Sequence, residues 1–172
     1  MADRPLDPDA LGDHVDRLYR AAWALCGRRE DAEDLVQDTY ARVLARPRLL
    51  RCEDDLSYLL RVLRNTHVSR LRSAARRPIS QRPLADADAA GDPHDTSDPE
   101  LMLAARELFA VIAALPPDQR DALVAVDVAG LSYREAGRAL RVKEATVTTR
   151  LHRARRAVVA QLREPLFAKD CA

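Results

Sequence analysis

The sequence predicts an all-α protein in which two small helical domains are joined by a flexible acidic linker. Apolar residues recur at spacings of three and four along most of the chain, which is the period of an amphipathic helix, and no segment shows the alternation of a strand. One stretch, rich in Pro, Asp, Ala and Gly, interrupts this pattern and offers little to bury. We therefore place the first domain at residues 9–77, the linker at 78–99 and the second domain at 100–164.

Charge is unevenly distributed along the chain, although the 172 residues carry a formal net charge of only +1. Residues 56–77 contain six Arg and no acid, whereas residues 85–100 contain six acids and no base. A uniformly basic nucleic-acid coat is thus excluded, and separate basic and acidic blocks remain. Since there is neither an N-terminal apolar targeting segment nor a run of membrane-spanning length, we expect a cytoplasmic protein without membrane contact.

The three Cys and four His residues show none of the spacings that bind metal ions. The cysteines are odd in number and far apart, which suits a structural role in a reducing compartment. We also find no pairing of a nucleophile with a base and no glycine loop that could bind phosphate. The sequence therefore predicts a protein that is not an enzyme and that has no metal site and no cofactor.

Three helices are predicted in the first domain, at about residues 9–26, 31–46 and 54–76. Gly27 is a plausible stop for the first helix, and Pro47 ends the second. The apolar residues of each helix form one stripe, which includes Leu44 on the second helix and Leu71 on the third, so we expect the three stripes to face inward and pack into a common core.

The second helix carries an acidic face opposite its apolar stripe, formed by Asp34, Gln37 and Asp38. Like charges three or four residues apart repel slightly, so this cluster contributes nothing obvious to the helix itself. Two interpretations remain open: a solvated face, or a docking site for a basic partner.

The third helix carries a stripe of Arg residues together with one aromatic and one amide side chain. These residues are Tyr58, Arg61, Arg64, Asn65, Arg72 and Arg76. Such a set suits phosphate contacts combined with base stacking or hydrogen bonding. A solvated basic face explains the composition equally well.

The second domain is predicted to contain four helices, of which the last two form a helix-turn-helix. Ser132 and Glu135 make a capping-box pattern at the start of the first of these helices, and residues 141–143 form the turn. The inward positions of the final helix are Val147, Leu151, Ala154 and Val158, and its outward positions are Thr148, Thr149, His152, Arg153 and Arg156. A helix of this kind enters the DNA major groove with its N-terminal part, whereas the alternative is a solvated basic helix in a bundle.

Four segments together carry a family resemblance: DAEDLVQDTYARVL, YLLRVLRNTHVSRLR, LPPDQRDALVAVDVAGLSYREAGRAL and TVTTRLHRARRAV. In order and spacing they resemble regions two and four of the extracytoplasmic-function sigma factors of bacterial RNA polymerase. The resemblance covers nearly the whole chain outside the linker and the tails. It implies a dissociable polymerase subunit that gives promoter specificity and helps to open the duplex.

The resemblance also implies partners and site residues. Asp34, Gln37 and Asp38 match the helix that docks on the clamp helices of the largest polymerase subunit, and the flap of the second-largest subunit is a further expected contact. The residues matching the segment that captures bases of the minus-ten element are Tyr58, Arg61, Arg64, Asn65, Arg72 and Arg76. Positions reading the minus-thirty-five element are matched by Thr148, Thr149, His152 and Arg153, and phosphate contacts by Arg150 and Arg155. Members of the family are often held inactive by an anti-sigma protein, which makes such a protein a candidate partner.

The sequence departs from the family pattern at a few of these positions. Tyr58 stands where the family usually has Trp, Ala145 where Gly is common, and Thr148 where a basic residue is common. The rival interpretation is a conventional helix-turn-helix regulator in which residues 9–77 form a dimerisation or sensor domain. It predicts self-association and operator binding without polymerase.

Overall fold

A computed structural model of the chain describes residues 4–5, 9–45, 49–50, 54–76 and 99–168. The all-α prediction is confirmed, and the helices are α1 Val15–Cys26, α2 Arg29–Ala45, α3 Asp55–Ala75, α4 Pro99–Ala114, α5 Pro117–Leu123, α6 Tyr133–Leu140 and α7 Glu144–Ala168. The predicted linker lies outside the described residues, except for its last residue, which begins α4.

Four local features were not predicted. A short 3₁₀ helix, Asp9–His14, precedes α1, and α5 continues as one π-helical turn, Val124–Val128. Strand β1, Arg4–Pro5, pairs in antiparallel fashion with β2, Leu49–Leu50, a contact of two residues on each side that leaves the fold class unchanged. Helix α7 also continues to Ala168 instead of ending before the proline three residues earlier.

The N-terminal domain consists of α1, α2 and α3, which pack around one apolar core. Leu18, Leu35 and Leu59 are fully buried there, as their helical spacing predicts. Leu44 and Leu71 were also expected to face inward, and that expectation is wrong, because they are 54% and 51% exposed. Both lie in or near the last turn of their helices, where the described part of the chain leaves the continued apolar stripe exposed.

The C-terminal domain consists of α4 to α7, with α6 and α7 forming the predicted helix-turn-helix. The capping box is present: the Ser132 hydroxyl accepts from the Glu135 backbone N–H, and the Glu135 carboxylate accepts from the Ser132 backbone N–H at 2.8 Å. Hydrogen bonds from Ser132 hold the pKa of Glu135 below its ordinary value. Val147 and Leu151 on α7 are buried, as predicted.

The two domains pack against each other, which the sequence did not predict. Helix α1 contacts α4 and the π-helical turn, and α3 contacts α6. The ring of Trp23 lies 4.9 Å from that of Phe109, measured between centroids. Arg17 donates from Nε to the carbonyl of Ala129 at 2.8 Å, across the same interface. We refer to this packing as the closed arrangement.

A buried imidazole lies on α3 close to this interface. The Nδ1 atom of His67 is 3.7 Å from the Sγ atom of Cys26, and His67 is 6% exposed. Burial lowers the pKa of His67 from 6.5 to about 4, with further lowering by the positive charges of Arg120 and Arg70 and a smaller opposing effect of Asp31. Burial likewise raises the pKa of Cys26 to about 11, so its thiol stays protonated and unreactive near neutral pH.

The protein should lose stability as the pH falls from about 6.5 towards 4, partly because of His67. In this window the unfolded chain binds a proton at this residue and the native state does not, so acid favours unfolding. Chemical denaturation at a series of pH values measures the effect. His67→Gln should flatten the pH dependence, whereas His152→Gln, at an exposed position of α7, should leave it as in the wild type. Equal slopes for all three proteins would contradict the assignment.

Candidate nucleic-acid and protein interfaces

The acidic face of α2 lies on the surface of the N-terminal domain. Asp34 and Gln37 are exposed, and Asp38 is partly buried. The structure therefore brings the three predicted side chains onto one accessible side of the helix, where a protein partner could reach them.

Arg70 on α3 joins this face to the neighbouring helix. Its Nη2 atom is 2.5 Å from the Asp38 carboxylate and 2.9 Å from the backbone carbonyl of Asp34, and its Nε donates to the same carboxylate at 3.0 Å. Asp38 is thus held by an ion pair within the domain. The exposed carboxylate of Asp34 is the stronger candidate for attracting a basic partner.

The predicted minus-ten residues fall into two groups on α3. Asn65, Arg72 and Arg76 are exposed, whereas Tyr58 is only 6% exposed. The guanidinium carbon of Arg61 lies 5.3 Å from the centre of the Tyr58 ring, which is within range of a cation–π interaction.

Arg64 is bound to the other domain. Its Nε donates to the carboxylate of Asp121 on α5, and the Asp121 side chain is only 5% exposed. Sequence reasoning had no means of finding this pair, because 57 residues separate the two positions and no periodic pattern links them. The closed arrangement therefore engages one of the side chains that the sequence assigns to DNA.

The outward face of α7 is a continuous polar surface. Thr148, Thr149, His152 and Arg153 are all exposed. The two threonine hydroxyls donate to backbone carbonyls one turn earlier, at 3.1 and 3.0 Å, which fixes their rotamers while the oxygen lone pairs stay open to a donor. Short hydroxyls beside a long guanidinium can contact base edges in a major groove.

Arg150 and Arg155 are tied to the scaffold beneath α7. Arg150 pairs with Asp118 at 2.7 Å, and Arg155 makes two hydrogen bonds to Asp127, at 2.9 and 2.6 Å. The hydrogen bonds and charge of Asp127 raise the pKa of Arg155 above its already high ordinary value. These ion pairs orient the two guanidinium groups beside the recognition surface, and nothing in the sequence pattern pointed to their partners.

Two features bear on other functions. Over the part of the chain that the structure describes, no cluster of three or more His, Cys, Asp or Glu residues could hold a metal ion. Within the same residues, no helix is both long enough and apolar enough to cross a membrane.

Comparison with known proteins covers most of the chain. The family model described as Sigma-70 region 2 matches residues 11–77, and the model described as Sigma-70, region 4 matches residues 105–158. The extracytoplasmic-function RNA polymerase sigma factor EcfG of Rhodopseudomonas palustris is 32% identical over 155 residues, which cover 86% of this chain and 80% of that protein. This chain belongs to the extracytoplasmic-function sigma factors.

Another relative differs from this sigma factor in length. The extracytoplasmic-function sigma factor SigE of Mycolicibacterium smegmatis is 34% identical over 167 residues, which cover 96% of this chain but 63% of that protein. The chain thus spans just under two thirds of that relative. The family acts in promoter-directed transcription initiation, and the rival interpretation as a conventional helix-turn-helix regulator is not favoured.

The fold of this sigma factor is also found in a solved complex. The sigma factor RpoE bound to the anti-sigma factor NepR, from Bartonella quintana, superposes with a TM-score of 0.72 over 91% of this chain and 96% of that one. At 24% sequence identity this likeness establishes the fold alone.

Proposed function

We propose that this chain is a cytoplasmic, non-catalytic sigma factor that binds core RNA polymerase and directs it to promoters. The proposal rests on the matches to both sigma regions, with region 2 in the N-terminal domain and region 4 in the C-terminal domain. In this proposal the N-terminal domain binds polymerase and captures minus-ten bases, and the C-terminal domain binds the upstream duplex. An anti-sigma protein is a further proposed partner, in keeping with the NepR complex of the Bartonella protein.

Polymerase docking is assigned to the exposed side of α2. Asp34 and Gln37 are accessible, and Asp38 is held in place by Arg70. We assign the clamp helices of the largest subunit to this face and the flap of the second-largest subunit to the C-terminal domain. An exposed carboxylate beside an amide suits a basic helical partner, because the charge attracts it and the amide can both donate and accept hydrogen bonds.

Promoter recognition is assigned to α3 and α7. Asn65, with Arg72 and Arg76 nearby on the exposed side of α3, can capture an unstacked base while the guanidinium groups hold phosphates. On α7, Thr148, Thr149, His152 and Arg153 can read base edges of the minus-thirty-five element, with Arg150 and Arg155 nearby for phosphates.

Asp34→Arg should prevent co-elution of the protein with core RNA polymerase in size-exclusion chromatography. The substitution replaces an exposed anion by a cation on the proposed docking face, so attraction to a basic partner becomes repulsion. Asp13→Arg makes the same charge change at an exposed position of the 3₁₀ helix in the same domain and should co-elute as the wild type does. Equal co-elution of both variants would remove the docking assignment. A wild-type protein that ran as a dimer without binding polymerase would support the conventional regulator.

A further inference from the structure

The closed arrangement brings the C-terminal domain onto the α3 surface that we assign to minus-ten DNA. Helix α6 packs against α3. Tyr58, near the N-terminal end of α3, is only 6% exposed, and the guanidinium of Arg61 on the same helix lies 5.3 Å from its ring centre, so little of the ring is open to a stacking base. Two turns further along, Arg64 is bound to Asp121 of α5. A minus-ten strand therefore has incomplete access to its proposed binding residues.

The partner of Arg64 has the chemistry of a DNA phosphate. A carboxylate, like a phosphate, offers anionic oxygens to the N–H groups of a guanidinium. Asp121 holds the Nε of Arg64, and its side chain is nearly buried, whereas the Arg64 side chain is 32% exposed. The Asp121 carboxylate thus takes the place that a DNA phosphate would occupy beside the Arg64 guanidinium.

We propose that the C-terminal domain is an internal competitor of promoter DNA: Asp121 occupies Arg64, and minus-ten binding requires the two domains to separate. This inference rests on the proposed function, because it assigns Arg64 to DNA. The surface of α3 then has two alternative partners, the single strand and the chain's own second domain.

The other contacts across the interface fit a closed state that forms specifically. Arg17 donates from Nε and Nη2 to the carbonyls of Ala129 and Gly130, at 2.8 and 3.3 Å. A Cβ atom on Gly27 would lie 2.9 Å from the Cβ of Ala113, so the absence of a side chain permits this approach of α1 to α4. The contacts combine apolar packing with backbone hydrogen bonds and are therefore geometrically selective.

The closed state is also suited to reversal. Burying an Arg–Asp pair costs desolvation energy that offsets much of its Coulomb attraction, whereas removing one partner leaves the other charge uncompensated, so loss of Asp121 should disfavour the closed state. A ligand that binds only the open form has its apparent dissociation constant raised by the inverse of the open fraction. Variants that favour opening should therefore bind single-stranded DNA more tightly without any new DNA contact.

The fluorescence of Trp23 can report separation of the two domains. Trp23 is the sole tryptophan of the sequence, and it contacts Phe109 across the interface. Separation of the domains would expose its ring, shift its emission to longer wavelength and increase quenching by acrylamide.

Two variants weaken the interface by different means. Asp121→Ala removes the partner of Arg64, and Ala113→Leu places extra volume against Gly27.

Glu107→Ala is the matched control. Glu107 lies at an exposed position of α4 in the C-terminal domain, and no residue assigned to DNA pairs with it in the description above. The substitution removes the same charge from the protein as Asp121→Ala does, so any general gain in DNA binding from lower negative charge is common to both variants. Circular dichroism establishes that all variants keep their helical content.

Acrylamide quenching of Trp23 and anisotropy of a fluorescein-labelled single-stranded oligodeoxynucleotide test the proposal in the full chain. We expect Asp121→Ala and Ala113→Leu to increase quenching and to tighten DNA binding by about threefold or more, whereas Glu107→Ala should leave quenching unchanged and alter DNA binding much less. The proposal is overturned if quenching stays as in the wild type, if it rises without tighter DNA binding, or if the control gains equally. Failure of the proposed function would be recognised separately, as absent co-elution of the wild type with core polymerase.

Discussion

Gly137→Val is expected to unfold the helix-turn-helix and to abolish binding of the upstream duplex. Gly137 is buried on α6, and a Cβ atom added there would lie 2.9 Å from the carbonyl oxygen of Val142 and 3.6 Å from the backbone nitrogen of Glu144. Backbone atoms of the turn cannot move aside as the end of a flexible side chain can. The turn between α6 and α7 would have to open, and the orientation of the recognition surface would be lost.

The expected destabilisation from this overpacking is about 3 kcal/mol, which thermal unfolding followed by circular dichroism would detect. Gly12→Val is the matched control, since nothing lies within 4 Å of a Cβ atom at that position. A Gly137→Val protein with wild-type unfolding temperature and wild-type affinity for duplex DNA would show that the turn is not as closely packed as described.

Leu59→Ala should destabilise the N-terminal domain by about 2 to 5 kcal/mol, the range for a buried leucine whose removal leaves a cavity. Leu59 is fully buried on α3, in the core shared with α1 and α2. Because natural domains are stable by only about 5 to 15 kcal/mol, this loss should bring the variant close to unfolding at physiological temperature.

Urea denaturation measures this effect, and Leu71→Ala on the same helix provides the comparison. Leu71 is 51% exposed, so its truncation should change the free energy of unfolding by about 0.5 kcal/mol or less. Similar losses for the two variants would mean that the burial of α3 differs from the arrangement described here.

The sequence predicted most of the local structure because local signals determine it. The Ser132 and Glu135 pair predicted the start of α6, and the spacing of Val147 and Leu151 predicted the buried side of α7. Periodicity was misleading at Leu44 and Leu71, where an apolar stripe continues beyond the helices that could cover it. Helical spacing predicts which side of a helix is apolar, but it does not predict how much of that side a neighbouring helix covers.

The sequence predicted the exposed faces of the proposed sites but not the ion pairs within them. The exposed positions of Asp34 and Arg153 agree with the faces expected from helical spacing. The partners of Arg64, Arg70 and Arg155 are 57, 32 and 28 residues away, and no local pattern encodes such pairings.

The close approach of α1 to α4 links the two domains in their tolerance of substitution. Gly27 and Ala113 belong to different domains, yet each restricts the volume permitted at the other. A chimera that joins this N-terminal domain to a relative's C-terminal domain could keep every DNA-facing residue and still receive a mismatched neighbour for Gly27. We therefore expect recombination between homologues to be constrained at this contact, and substitutions at the two positions to be correlated.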